Sequence, residues 1–247
     1  MNGPLEVEEY DDRVVLRLNR PEVRNAIDLE MVQALHEACA ALEAAPRVAL
    51  LIGSGGTFAA GADIAELRER RRDDALAGIN SRVFERIHRL PMPVIALLDG
   101  YALGGGAELA YACDFRIGTP STRIGNPEPG LGILAAAGAS WRLRELVGEP
   151  LAKEILLAGR VLDAEEALSA HLLNEVVADV DLEMAGHRLA DRITAQAPLA
   201  VRLTKSVLHA PRDAHPLIDD VAQAVLFETQ DKTDRMAAFL ERRKEKP

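Results

Sequence analysis

A chain of 247 residues with 48% hydrophobic and 28% charged residues can bury one sizeable core or two modest ones, which disfavours disordered and membrane classes. The net charge of −10 leaves no basic stripe for a phosphate backbone, and acids interrupt the arginines at 68, 70, 71 and 72, so no nucleic-acid partner is expected. The N-terminus is acidic and no apolar run approaches the roughly 20 residues of a membrane span. Cys39 and Cys113 both fall in apolar helical contexts, the pattern of reduced core residues. Membrane insertion is therefore not expected, and a reducing, cytoplasmic setting is.

In chain order, LEVEE (5–9) and RVVLRL (13–18) read as a first pair of strands. After the Pro21 turn, Asp28 reads as the N-cap of a helix whose apolar side carries Leu29, Val32, Leu35, Cys39 and Leu42. Strand-like runs at 13–18, 47–52, 93–98 and 114–117 are separated by helical stretches, the pattern of βα units with parallel strands buried on both faces. The charged stretch from Asp63 to Leu90 reads as helical, with a mobile loop expected near residues 70–80. Beyond about residue 140 only NEVV (174–177) reads as strand. Residues 181–197, 198–209, 217–229 and 233–243 read as amphipathic helices, with breaks at Pro198, Pro211 and Pro216. The fold class is α/β with an α-helical C-terminal portion.

The stretch LLDGYALGGGAELAYACDF (97–115) organises the rest. An apolar strand run ends at Leu98, and Gly100, Gly104, Gly105 and Gly106 then let the backbone approach something closely. A helix starting at Gly105 would aim its first free N–H groups into that loop. Glu108 is the only charged residue between Asp99 and Asp114. It is either a helix-dipole partner on a wet face or a shielded catalytic group. In FAAGAD, the small residues Ala59, Ala60, Gly61 and Ala62 suit either a tight turn or a ligand lying against the main chain. Glu128, twenty residues after Glu108, sits in NPEPG and by itself also fits a surface turn. GSGGTF does not complete a dinucleotide fingerprint, no GxxxxGK[ST], GxSxG or HExxH occurs, and none of the six histidines lies in a Gly-rich segment. No metal site and no Ser/His triad are expected.

Taken together, GYALGGGAEL (100–109), TFAAGADIAEL (57–67) and NPEPGLG (126–132) resemble the crotonase, or enoyl-CoA hydratase/isomerase, superfamily in order and spacing. The similarity extends from NRPEVRNAI (19–27) to DRMAAFLERRK (234–244), nearly the whole chain. The resemblance implies a spiral of ββα units over residues 1–195, with residues 196–247 as a helical trimerisation region. It implies that the N–H groups of Ala62 and Gly105 form an oxyanion hole for an acyl-CoA thioester. Glu108 and Glu128 match the family's two glutamates: for hydration, Glu108 would activate water at Cβ and Glu128 would supply a proton to Cα. Coenzyme A enters as part of the substrate, with no separate cofactor. Arg24, Ala26, Ala60, Asp63, Ile64, Phe239 and Arg242 are the expected substrate-binding residues: Phe239 matches a family aromatic that covers the adenine, Arg24, or Arg242 and Lys244, would make the phosphate contacts, and a homotrimer or hexamer is implied. Two glutamates favour an enoyl-CoA hydratase; the alternatives are an enoyl-CoA isomerase and a non-catalytic acyl-CoA-binding protein. The chain departs from the pattern at Pro129 and Gly130, where apolar residues are commoner, and at Ala135, Ala136 and Ala137, where Gly and Pro are commoner. It also has Ala65 where a lysine often stands and Met92 where a basic residue is common.

Overall fold

The computed structural model describes residues 3–244, the side chain of Lys244 excepted. They divide into two compact units, one ending at Ala190 and one beginning at Asp191. In the first, β1 (Leu5–Glu9), β2 (Arg13–Leu18), β3 (Val48–Gly53), β4 (Val94–Leu98), β6 (Phe115–Gly118) and β9 (Glu175–Val176) form one sheet in that order. Only the β1–β2 pair is antiparallel. The central strands are apolar throughout, VIALL in β4 being wholly buried, because helices cover both faces of a parallel sheet. A second sheet contains β5 (Tyr101–Leu103), β7 (Arg123–Gly125) and β8 (Val161–Asp163).

The two sheets are filled in alternation. The chain leaves β4, adds β5 to the small sheet and enters helix α5 (Gly105–Ala112); after β6 it adds β7 and then reaches helix α6 (Ala139–Ala158). After β3 the same step is reduced to a single parallel bridge between Ala59 and Ala102 of β5. These are ββα units, as expected. The cost of so short a second strand is that its three residues show no period in the sequence, and β5, β7 and β8 were not among the expected strands.

Helix α1 (Leu29–Ala44) starts where expected: the Asp28 side chain accepts from the Met31 N–H. Its core face is Met31, Val32, Leu35, Cys39 and Leu42, whereas Leu29, expected on that face, is 52% exposed because it opens the first turn. The loop expected at 70–80 is instead helical. Helices α2 (Ile64–Glu69), α3 (Arg72–Ala77) and α4 (Ile79–His88) succeed one another, and Gly78, at φ 64°, closes α3 and opens α4 within a single residue. Helix α7 (Ala164–Ser169) and most of α8 (Leu182–Thr194) complete this unit. The second unit is helical, with α9 (Pro198–Leu208), α10 (Leu217–Phe227) and α11 (Gln230–Lys244). No described helix is long and apolar enough to cross a membrane.

Candidate active site

The first wall of the site is the segment after β3. Asn25, fully buried at φ 55°, donates through Nδ2 to the carbonyls of Ser54 (2.9 Å) and Thr57 (2.6 Å) and accepts from the Arg20 N–H (2.9 Å). Asn tolerates this left-handed conformation better than most residues. It staples the NRPEVRNAI loop to the FAAGAD segment. Ile27 then pairs with that segment as a parallel bridge, accepting from the Asp63 N–H (3.1 Å) and donating to the Gly61 carbonyl (2.8 Å). In such a bridge the residue in between points its own N–H the other way, so the Ala62 N–H has no acceptor among the described residues.

The second wall is the start of α5. Gly104 holds φ 52° and ψ −123°, a backbone shape that side chains resist, and this turn presents the first N–H groups of the helix. Gly105 itself has no positive φ, so its smallness serves space and not backbone shape. A Cβ built on Gly105 would lie 3.3 Å from the Ala62 nitrogen. At Gly106 a Cβ would lie 2.1 Å from the Ala59 carbonyl oxygen, so only glycine lets α5 sit directly on the first wall. The Gly105 N–H also lacks an acceptor among the described residues. Two unpaired N–H groups on separate segments thus border one space.

Two buried carboxyls flank it. Glu108, 4% exposed, accepts through Oε1 from the N–H groups of Ala137 (2.7 Å) and Ala139 (3.1 Å). Burial pushes its carboxyl up to about 7, against those two hydrogen bonds; Glu128 adds to the rise and Arg142 opposes it. The donors come from the turn at Gly138, φ 133°, and the guanidinium of Arg142 packs on the face of that glycine. Arg142 is buried and ion-paired to Glu85 of α4.

Glu128, 7% exposed, is also held above the usual carboxylate range by burial. Asn126 Nδ2 lies 3.3 Å from Glu128 Oε1 and 3.3 Å from the Gly104 carbonyl, while its Oδ1 accepts from the Tyr111 hydroxyl at 3.1 Å. Glu128 Oε2 is buried with no hydrogen-bond partner among the described residues. The two carboxyls therefore differ in their support: two N–H groups of the turn at Gly138 donate to Glu108, whereas Glu128 has the Asn126 amide beside one oxygen and no described partner at the other.

Of the residues expected at the site, Ala60, Ala62, Gly105, Glu108 and Glu128 come together here. The Ala60 N–H donates to the Arg24 carbonyl at 2.9 Å, which brings the Arg24 backbone alongside while its side chain is exposed. The Ala26 carbonyl accepts from Arg20 Nη1 at 2.5 Å. Asp63 caps α2, accepting from the Ala65 N–H at 3.0 Å, with Arg20 Nη2 3.7 Å away; Ile64 is 60% exposed. Phe239 and Arg242 are exposed on α11 in the second unit. The Lys244 side chain lies outside the described residues. Sequence reasoning missed Arg20, Asn25, Asn126, Arg142 and the N–H groups of Ala137 and Ala139. A buried Arg or Asn looks like any surface residue in a sequence, and a backbone donor carries no signal at all. The cysteines are free and buried, with the Cys39 thiol pushed up to about 12 by burial.

Known proteins share both sequence and architecture. A crotonyl-CoA hydratase of Syntrophomonas wolfei is 38% identical over 96% of this chain and 95% of its own. A short-chain-enoyl-CoA hydratase of Clostridium acetobutylicum is 35% identical over 93% and 92%. Among solved structures, an enoyl-CoA hydratase from Bacillus anthracis superposes with a TM-score of 0.91 at 31% identity, covering 97% of this chain and 96% of that one. One from Mycobacterium smegmatis gives 0.92 at 28% identity, covering 98% and 97%. The family profile described as enoyl-CoA hydratase/isomerase matches residues 9–246, and the chain belongs to that family.

Proposed function

We propose that this chain is an enoyl-CoA hydratase, adding water across the 2,3 double bond of a trans-2-enoyl-CoA thioester. The observation that carries the reading is the pair of unlike buried carboxyls beside two unpaired backbone N–H groups. The thioester oxygen accepts from Ala62 and Gly105, and these donors stabilise the charge that develops on it when water attacks Cβ. One such donor contributes about 3 to 4 kcal/mol to the transition state. Glu108, whose anion two N–H groups support, takes the proton from the attacking water. Glu128, whose carboxyl burial raises above the usual carboxylate range, gives its proton to Cα. The hydroxyl ends on Cβ and a hydrogen on Cα; the proton gained by Glu108 and that lost by Glu128 balance.

Arg24, Asp63, Ile64 and the backbone of Ala26 and Ala60 belong, on this reading, to the rim that takes the coenzyme A portion. Phe239 and Arg242 meet the adenine and phosphates of a substrate bound to a neighbouring subunit. Residues 196–247 would then be an assembly region, and the enzyme a homotrimer or a hexamer of two trimers. The two free buried cysteines suit a reducing, cytoplasmic setting.

The test is loss of enoyl-thioester absorbance on mixing with crotonyl-CoA, followed by a panel of longer enoyl-CoAs. Turnover of a 3-enoyl-CoA without hydration would identify an isomerase, and tight acyl-CoA binding with no turnover a binding protein.

A further inference from the structure

We propose that Asn80 is a third hydrogen-bond donor to the substrate's thioester oxygen, held in that sense by Arg70. The inference rests on the acyl-CoA reading of the site. Asn80 is half-buried in the first turn of α4. The point where a Gly105 Cβ would stand is 3.7 Å from Asn80 Nδ2 and 3.3 Å from the Ala62 nitrogen. The side-chain amide and the Ala62 N–H therefore border the same small space over Gly105.

A carboxamide can show a neighbour either its oxygen or its NH2, and the partner on its far side decides which. Here that partner is Arg70, whose Nη1 donates to Asn80 Oδ1 at 3.3 Å. A guanidinium has no acceptor, so the oxygen must face Arg70 and the NH2 must face Gly105. Arg70 is in turn held by Glu66, with Nη2 3.6 Å from Oε2, and that same Oε2 accepts from the Leu29 N–H at 3.2 Å. Asn80 Nδ2 donates to no described residue. An unpaired donor with a fixed sense, beside an N–H already aimed at the same space, fits an oxygen that gains negative charge during the reaction. A thioester oxygen becoming an enolate is such an acceptor, and it can accept three hydrogen bonds. Being half-exposed, this donor should contribute less than a preorganised backbone N–H.

The experiment uses the full chain with two ligands. Crotonyl-CoA reports turnover. Acetoacetyl-CoA, whose enolate absorbs in the near ultraviolet, reports charge stabilisation without turnover. Asn80→Ala should lower kcat about 10- to 100-fold with KM changed less than about threefold, and should lower the enolate fraction of bound acetoacetyl-CoA by a similar factor. Arg70→Met, which frees the amide to turn over, should move both readouts in the same direction by less. Asn80→Ser, which keeps a shorter donor, substitutes if the alanine variant does not fold. Unchanged kcat and an unchanged enolate fraction in a folded Asn80 variant overturn the proposal, as does a raised KM at unchanged kcat. Should the wild type bind acetoacetyl-CoA but not hydrate crotonyl-CoA, the hydratase reading falls while the enolate measurement still decides the role of Asn80.

Discussion

The carboxylate of Glu128 lies against the bare face of Gly104: a Cβ built on that glycine would stand 3.3 Å from Oε1. The second glutamate is thus coupled to the residue immediately before Gly105. Glu108, farther along α5, is instead gripped from the turn that opens α6. Each carboxyl has its own support, so the two can be altered separately. Pro129 and Gly130, the departure from the family pattern, lie in a short turn (Glu128–Leu131) that leaves Glu128 buried.

Replacing either glutamate by glutamine should leave acyl-CoA affinity nearly unchanged and lower kcat by about 10² to 10⁴, because the oxygen of the amide can still accept while proton transfer is lost. In Glu108→Gln that oxygen can keep the Ala137 and Ala139 N–H groups, so the fold should hold. The double variant should lose less than the product of the single losses, since both groups serve one transition state. Steady-state rates with crotonyl-CoA check this, and a fully active Glu128→Gln protein would refute the assignment of the proton donor.

The pH dependence follows from Glu108. Its carboxyl rises from 4.5 to about 7 on folding, so between those values the folded chain keeps a proton that the unfolded chain has released. The contribution of this group to stability is therefore present at low pH and lost as pH rises through about 7, on the order of 3 kcal/mol in all. Urea melts should find Glu108→Gln more stable than the wild type at pH 8, with the difference shrinking as pH falls and gone below 4.5. The same ionisation should give kcat/KM an ascending limb that levels near pH 7 and vanishes in the variant. A wild type whose advantage over the variant grows with pH would contradict the burial argument.

What was legible in the sequence is what local chemistry carries. Asp28 announces its helix because an N-cap is a single-residue signal, and PVIALL announces β4 because a strand buried on both faces must be apolar throughout. The Gly-rich turn and Glu108 were visible for the same reason, as departures from their surroundings, whereas Glu128, which by itself fits a surface turn, was singled out by the family resemblance. What was hidden is long-range. Asn126 and Arg142 matter through partners that the chain brings back from elsewhere, such as Tyr111 and Glu85. Within the helical stretch expected from Asp63 to Leu90, the helix at 72–77 was hidden differently: one glycine at φ 64° makes a break that reads, among so many charges, as a loop.

The glycines at 105 and 106 should fail in different ways. Gly105→Val puts side-chain atoms where the thioester must lie but meets the Ala62 nitrogen only at 3.3 Å, so the variant should fold and lose activity. Gly106→Ala drives a Cβ to 2.1 Å from the Ala59 carbonyl oxygen, which forces the two walls apart. That variant should lose about 1 to 3 kcal/mol of stability as well as activity. Thermal melts beside rates separate the two, and a Gly105→Val enzyme with near-normal rate would remove Gly105 from the oxyanion hole.

The second unit bears on assembly. Among its exposed side chains, α10 carries Leu217, Val221, Val225 and Phe227, and α11 carries Met236, Phe239 and Leu240. Apolar surface of this kind on neighbouring helices marks an interaction face, and closed symmetry is the usual way for identical chains to cover one. For the proposed homotrimer or hexamer, light scattering should give three or six times the 26.8 kDa of one chain. Ending the chain before Thr233 removes α11 beyond its first turn, including Phe239 and Arg242, an aromatic surface next to positive charge in a chain of net charge −10. Such a truncation should lower the mass and raise KM for the CoA ester. If the truncated protein still assembles and its KM is unchanged, the contact with adenine and phosphate is wrong although the trimer stands; a full-length monomer at micromolar concentration would sink the trimer itself.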